Sequence, residues 1–139
     1  MVKLYALALL YNNDDILFLR RCNTGFGDGL YSLVGGKVED NETALHAIQR
    51  EVQEEVGLSL PAAAFTLVHT LHRQGTENAL VALCFKADIT GAEPRNREPE
   101  KHDDMRFFSI ADLPENIIPA HKEALLALEK GMPYSEHGW

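Results

Sequence analysis

Apolar and polar positions alternate between two periods along the chain, and the changes of period mark its elements. Residues 2–11, VKLYALALLY, are almost continuously apolar, as a strand covered on both faces reads. Asn12, Asn13, Asp14 and Asp15 interrupt the run as a turn, and residues 16–20 return as its hairpin partner. Residues 23–29 carry three glycines and read as a mobile loop, and residues 31–34 as a short strand entering a Gly35–Gly36 turn. Residues 65–73 and 79–89 read as two longer strands. Residues 91–101, with Pro94 and Pro99, form a loop, and residues 105–108 a short strand. Pro119 starts a last helix that Gly131 ends, with Leu125, Leu126 and Leu128 as its apolar side.

Between the Gly35–Gly36 turn and Gly57 the period changes to 3.6. Asp40 or Asn41 supplies a helix cap, and Gly57 ends the helix in the left-handed conformation. At 100° per residue, Leu45, Ile48, Val52 and Val56 fall on one stripe, which should face the core. Glu51, Glu54 and Glu55 share the arc beside it with Ala44 and Ala47, two small residues that leave room for an approaching group. His46, Gln49, Arg50 and Gln53 take the other flank. Carboxylates at i, i+3 and i+4 repel one another, and a hard divalent cation with oxygen ligands relieves that repulsion; magnesium suits the role because it bridges carboxylates to phosphates. Three glutamates alone also describe a solvated helix face. Arg50, Glu42 and the glycine pair at fixed distances argue for a site instead.

The helix lies between strands and a second helix follows them, so the order fits an α+β fold with a mixed β-sheet sandwiched between helices. The 139 residues suit a single domain spanning 1–139, without linker, repeat or low-complexity segment. A formal net charge of −8 argues against nucleic-acid polymers and anionic membranes as partners, yet leaves room for a small nucleotide delivered as its magnesium complex. Cys22 and Cys84 lack metal or redox spacing, and the opening apolar run is too short to span a membrane and lacks a cleavage-site pattern. A reducing cytoplasm is the expected location. The six histidines make no ligand cluster; His69 and His72 are placed on opposite faces of one strand, as surface or packing residues.

The window GKVEDNETALHAIQREVQEEVGL, residues 36–58, holds Gly36, Glu42, Arg50, Glu51, Glu54, Glu55 and Gly57, with Val52 and Leu58 apolar. It resembles the Nudix box, G-x5-E-x7-R-E-U-x-E-E-x-G-U with U apolar, at every defined position. The element order also resembles the Nudix fold, so the resemblance covers nearly the whole chain, although only the box is highly specific. It implies a MutT-like hydrolase that uses Mg2+, with Mn2+ as a substitute. The metal would be held by Glu51, Glu54 and Glu55 with a carbonyl of Gly35 or Gly36. Glu42 and Arg50 would orient the helix and its acids, with Gly36 and Gly57 shaping the motif. Val34 departs from the family, where many relatives have proline.

The resemblance also implies a phosphate contact at Arg21, with Arg20 as understudy; a solvated strand end explains the pair equally well. The stretch REPEKHDDMRFF, residues 97–108, resembles the E-P-E-K segment of Nudix enzymes acting on nucleoside triphosphates. An acid there would complete the metal site or act as general base: Glu100 first, Glu98 second, against the alternative of a charged surface loop. Asp103 and Asp104 would read the base edge. Among aromatics, Phe26 in the glycine loop is the candidate to stack on a base, whereas Tyr31 and Phe107 are expected in the core.

The leading reading is a nucleoside triphosphate pyrophosphatase in which Glu54 or Glu100 takes the proton of the attacking water, with Glu51 and Arg50 in the catalytic set. Sugar-nucleotide relatives carry additional N-terminal strands, and this chain opens on a core strand. Hydrolysis of ADP-ribose, a nucleotide sugar or a dinucleotide is the alternative. A non-catalytic nucleotide sensor is another, against which stands the complete set of box glutamates. Monomer and homodimer are both compatible with the pattern.

Overall fold

The computed structural model describes residues 1–139. Its strands are β1 (Lys3–Asn12), β2 (Asp15–Arg21), β3 (Tyr31–Lys37), β4 (Thr66–Gln74), β5 (Ala79–Asp88), β6 (His102–Ser109) and β7 (Tyr134–His137), and its two α-helices are α1 (Ala44–Val56) and α2 (Pro119–Glu129). All seven strands join one mixed sheet in the order β6-β2-β3-β1-β5-β4-β7. The β1–β5 and β4–β7 pairs are parallel and the others antiparallel.

The continuous apolar character of β1 follows from its central place. Its even residues Ala6, Ala8 and Leu10 pack with Ile48, Val52 and Val56 of α1. Its odd residues Leu7 and Leu9 pack with Ala120, Ala124 and Leu125 of α2. A period of two thus divides one run between two cores, one on each side of the sheet. Each fully buried Val, Leu or Ile contributes about 1.5–3 kcal/mol. The expected sandwich of helices around a mixed sheet is what forms. Neither helix is long and apolar enough to cross a membrane.

Several local expectations change. Helix α1 is capped by Thr43, whose Oγ1 accepts from the His46 N–H at 3.1 Å, and neither Asp40 nor Asn41 performs that task. Gly57 does end the helix, at φ 72°. Ala47 is fully buried in the α1-side core instead of leaving room on the surface. Gly35 and Gly36 are not a turn: they continue β3, opposite Leu7 and Ala6 of β1. Leu126 is exposed, and Leu125 carries the contact of α2 with the core. Strand β7 is additional; it lies beside β4, where buried His69 bonds the Met132 carbonyl and the Ser135 hydroxyl at 2.9 and 2.7 Å. The 23–29 loop is tied down, since the Asp28 carboxylate accepts from the backbone N–H groups of Thr24 and Gly25.

Candidate active site

The acidic face of α1 is organised by Arg50. Its guanidinium donates to both oxygens of Glu42, at 2.6 and 3.1 Å. It reaches Glu51 at 2.9 Å and Glu54 at 3.3 Å through Nη1, and the Lys37 carbonyl at 3.2 Å through Nη2. Arg50 and the Glu39 N–H together hold the Glu42 carboxyl down at about 2. One arginine therefore ties the helix to the segment after β3 and offsets part of the repulsion among the acids.

Glu55 is the unusual member. It is 8% exposed, and its Oε1 accepts from the Gly35 N–H at 3.0 Å. Burial pushes its carboxyl well above the ordinary range, and the charges of Glu51 and Glu98 add to the effect. Glu51 is likewise raised, chiefly by burial. No three acidic, histidine or cysteine side chains converge as a ready-made metal shell, because Arg50 engages Glu51 and Glu54 while Glu55 turns to Gly35. The donor set nevertheless fits a hard dication: all its atoms are oxygens, and Glu55 is a buried carboxylate beside the charges of Glu51 and Glu98 with no ion pair of its own.

The 91–101 loop brings Glu98 to this place. The N–H groups of Arg95 and Arg97 bond the Val56 and Glu55 carbonyls at 2.9 and 3.0 Å, satisfying acceptors that a helix end leaves open. The following turn, closed by Lys101 and His102 N–H groups on the Glu98 carbonyl, separates Glu98 from Glu100. The field of Glu100 falls on Cys22 and His102, not on the box glutamates. Of the two loop acids, it is Glu98 whose charge acts on Glu51 and Glu55.

A cavity of about 590 Å³ lies on the α2 side of the sheet and includes Gly35, Gly36, Arg21, Phe26, Arg73 and His121 in its wall. It meets the carboxylates across the end of β3. A side chain at Gly36 would stand 2.5 Å from Glu51 Oε1, and Gly35, at φ +149°, has the Ala6 carbonyl where a Cβ would go. Two glycines leave only backbone between the cavity on one face and the acids on the other.

The remaining expected residues separate into two groups. Arg21 lines the cavity, with Nε donating to the Phe26 carbonyl at 2.7 Å and the guanidinium 5.5 Å from the Phe26 ring. Phe26 is half-exposed and Arg73 approaches its ring at 5.1 Å. Arg20 turns away to Asp103 at 2.7 Å. Asp104 accepts from the Tyr31 hydroxyl and pairs with Arg106. Neither aspartate lines the cavity. Tyr31 and Phe107 pack in the two cores, as expected. Arg73 and His121 escaped the sequence reading: a charged strand end and a polar residue in a helix's first turn give no periodic signal.

A family model described as the NUDIX domain matches residues 1–128. The chain belongs to the Nudix family. Among proteins similar to this Nudix chain is the ADP-ribose pyrophosphatase of Methanocaldococcus jannaschii, 28% identical over 77% of the chain and 62% of that protein. The NAD-capped RNA hydrolase NudC of Stutzerimonas stutzeri is 31% identical over 91% of the chain and 45% of its own length. The chain thus spans less than two thirds of either relative. The oxidized purine nucleoside triphosphate hydrolase of Danio rerio is 33% identical over 81% of the chain and 69% of that protein. In three dimensions, a MutT Nudix hydrolase from Burkholderia pseudomallei superposes with a TM-score of 0.82 at 28% identity, covering 91% of this chain and 97% of that one.

Proposed function

We propose that this Nudix chain hydrolyses a phosphoanhydride bond of a nucleoside diphosphate derivative. Its leading substrate class is the nucleoside triphosphate, cut to monophosphate and pyrophosphate. One observation carries the reading: Glu51, Glu55 and Glu98 gather at the side-chain-free end of β3, where a cavity of nucleotide-compatible size opens on the opposite face.

Glu51, Glu54 and Glu55 would hold Mg2+, or Mn2+ in its place, with a carbonyl of Gly35 or Gly36 and with Glu98 beside them. When bound, the ion supplies Lewis-acid charge and acidifies a water. The chain's own groups do the rest. Glu42 fixes Arg50, and Arg50 fixes Glu51 and Glu54. Glu54, half-exposed with one oxygen on Arg50, has its other oxygen to accept a proton from the attacking water; Glu98 is the second candidate base. The water oxygen bonds to phosphorus, the bridging P–O bond breaks, and the leaving oxygen keeps the electron pair. Arg21 faces the phosphate chain and stabilises the charge that develops on it.

A second reading, hydrolysis of ADP-ribose or a dinucleotide, draws on the Methanocaldococcus relative and on Lys3 and Arg73, which add cationic groups to the cavity wall. The test is product release with Mg2+ across triphosphates, oxidised nucleotides, ADP-ribose and dinucleotides. Pyrophosphate from triphosphates alone supports the leading reading, and turnover confined to ADP-ribose or dinucleotides supports the second. No turnover with either metal points to a nucleotide sensor. Glu54→Gln should lower turnover by about 10²–10⁴-fold with unchanged circular dichroism. Near-normal turnover in that variant refutes the role of Glu54.

A further inference from the structure

The loop that carries Glu98 is fastened to a helix and to a strand, and one side chain joins the two fastenings. Arg95 and Arg97 dock on the end of α1 through their N–H groups. The stem of Arg97 lies over Gly57, where an added Cβ would stand 3.3 Å from it. Asn96 sits between the two arginines, partly buried. Its Nδ2 donates to the His102 carbonyl at 2.8 Å, and its Oδ1 accepts from the Glu98 N–H at 3.2 Å. The His102 N–H in turn donates to the Glu98 carbonyl at 3.0 Å. Asn96, Glu98 and His102 thus close a ring of hydrogen bonds.

Such a ring places an acid without touching its carboxylate. Both backbone polar groups of Glu98 belong to it, and Pro99 restricts the Glu98 backbone to extended conformations. His102 is buried and opens β6, opposite Arg21 of β2. Glu98 is therefore held between the end of α1 and a strand of the sheet. Its carboxylate pairs with Lys101 at 3.6 Å, but the Lys101 side chain is 57% exposed, and an exposed pair contributes little. The backbone sets where the acid stands. The Asn96 amide completes the ring because one of its atoms donates and another accepts. A serine there would keep the bond two residues on and would have no second arm for the His102 carbonyl.

We infer that Asn96 is a positioning residue: its side-chain amide braces the turn from Glu98 to His102 and thereby holds the Glu98 carboxylate against the acidic face of α1. The inference rests on the hydrolase reading given above, in which Glu98 stands beside the metal.

The test is a double-mutant cycle of Asn96→Ala with Glu98→Gln, measured in two ways. Electron paramagnetic resonance of free Mn2+ gives metal affinity without nucleotide. Steady-state rates at saturating Mg2+ give kcat and KM for the nucleotide that the wild type hydrolyses. Asn96→Ala should lower kcat about tenfold and leave KM within about twofold, since Asn96 lies outside the cavity wall. Mn2+ affinity should fall by a similar factor, and a fall in kcat alone retains the inference with Glu98 as the base. In the Glu98→Gln background, Asn96→Ala should cost nothing further, and Asn96→Ser should lie between wild type and Asn96→Ala. Wild-type values of both affinity and kcat in Asn96→Ala overturn the inference while the hydrolase reading stands. An equal further loss in the Glu98→Gln background means a general structural role and also overturns it, as does a wild type that neither binds Mn2+ nor turns over any nucleotide. The expected Mn2+ cycle without turnover retains it while the hydrolase reading fails. Should Asn96→Ala fail to fold, Asn96→Ser carries the cycle, and 15N spectra of metal-free wild type give a further check. The Asn96 Nδ2–H bonded to His102 should exchange slowly with solvent, and exchange at the rate of a free amide overturns the inference.

Discussion

Two glutamates only two positions apart, Glu98 and Glu100, face different neighbours, and a backbone turn is the reason. N–H groups of Lys101 and His102 both close on the Glu98 carbonyl, so the chain reverses between the two side chains. Glu98 joins the field around Glu51 and Glu55, while Glu100 acts on Cys22 and His102. Replacing Glu98 by Gln should therefore lower turnover at least about tenfold, as loss of a group bordering a metal site does. Glu100→Gln should stay within about twofold, because its carboxylate is not among the leading charges acting on Glu51 or Glu55. Steady-state rates of the two variants at saturating Mg2+ check this, and the reverse order would return the role to Glu100. Spacing in a loop carries no such information. On a helix it does, and for that reason Glu51, Glu54, Glu55 and Arg50 were legible from the sequence as one constellation.

Among the elements, α1 is the best specified, and its start shows where local signals compete. Asp40, Asn41 and Thr43 are all good caps. The choice falls to Thr43 because Glu42 already accepts from the Glu39 N–H at 2.9 Å and binds Arg50, which closes the preceding turn one step later than Asn41 would require. Thr43→Ala should cost about 1 kcal/mol of stability, whereas Asp40→Ala and Asn41→Ala should each stay within about 0.5 kcal/mol. Urea denaturation midpoints at constant slope measure all three. Strand β7 illustrates the opposite case. Tyr134–His137 has no apolar alternation, and its place is set by distant contacts: His69 on β4 and the Trp139 ring against His72. The glycine pair was legible as a place of close approach, but not as a strand end, because only pairing with Leu7 and Ala6 decides that.

At the scale of the whole molecule, the cavity draws on β1, β3, β4, β5, the β4–β5 turn and α2, elements brought together only by the sheet order. Its histidine links the site to acid stability. The folded pKa of His121 is about 3 and its ordinary value is 6.5. Between those values the unfolded chain binds a proton that the folded chain refuses, so stability is present above the unfolded value and falls as pH drops through this window. From pH 7 to pH 5 the loss assigned to His121 is about 2 kcal/mol. Subtracting the same measurement on His121→Gln cancels the carboxylates. Denaturant unfolding of both proteins at the two pH values gives the difference, and equal slopes with pH would remove the buried neutral imidazole from the account.

The bare end of β3 has one more consequence. A sheet ordinarily carries side chains on both faces, and at Gly35 and Gly36 there is no room for one. The strand there is a threshold one backbone thick between two surroundings of unlike charge: a cavity with apolar and cationic walls on one face and the carboxylates of α1 on the other. Because only backbone stands at the threshold, the residues on one side can change shape and polarity without moving the carboxylates on the other. On the proposed reading, substrate preference and bond-breaking capacity would come under separate control within one small sheet.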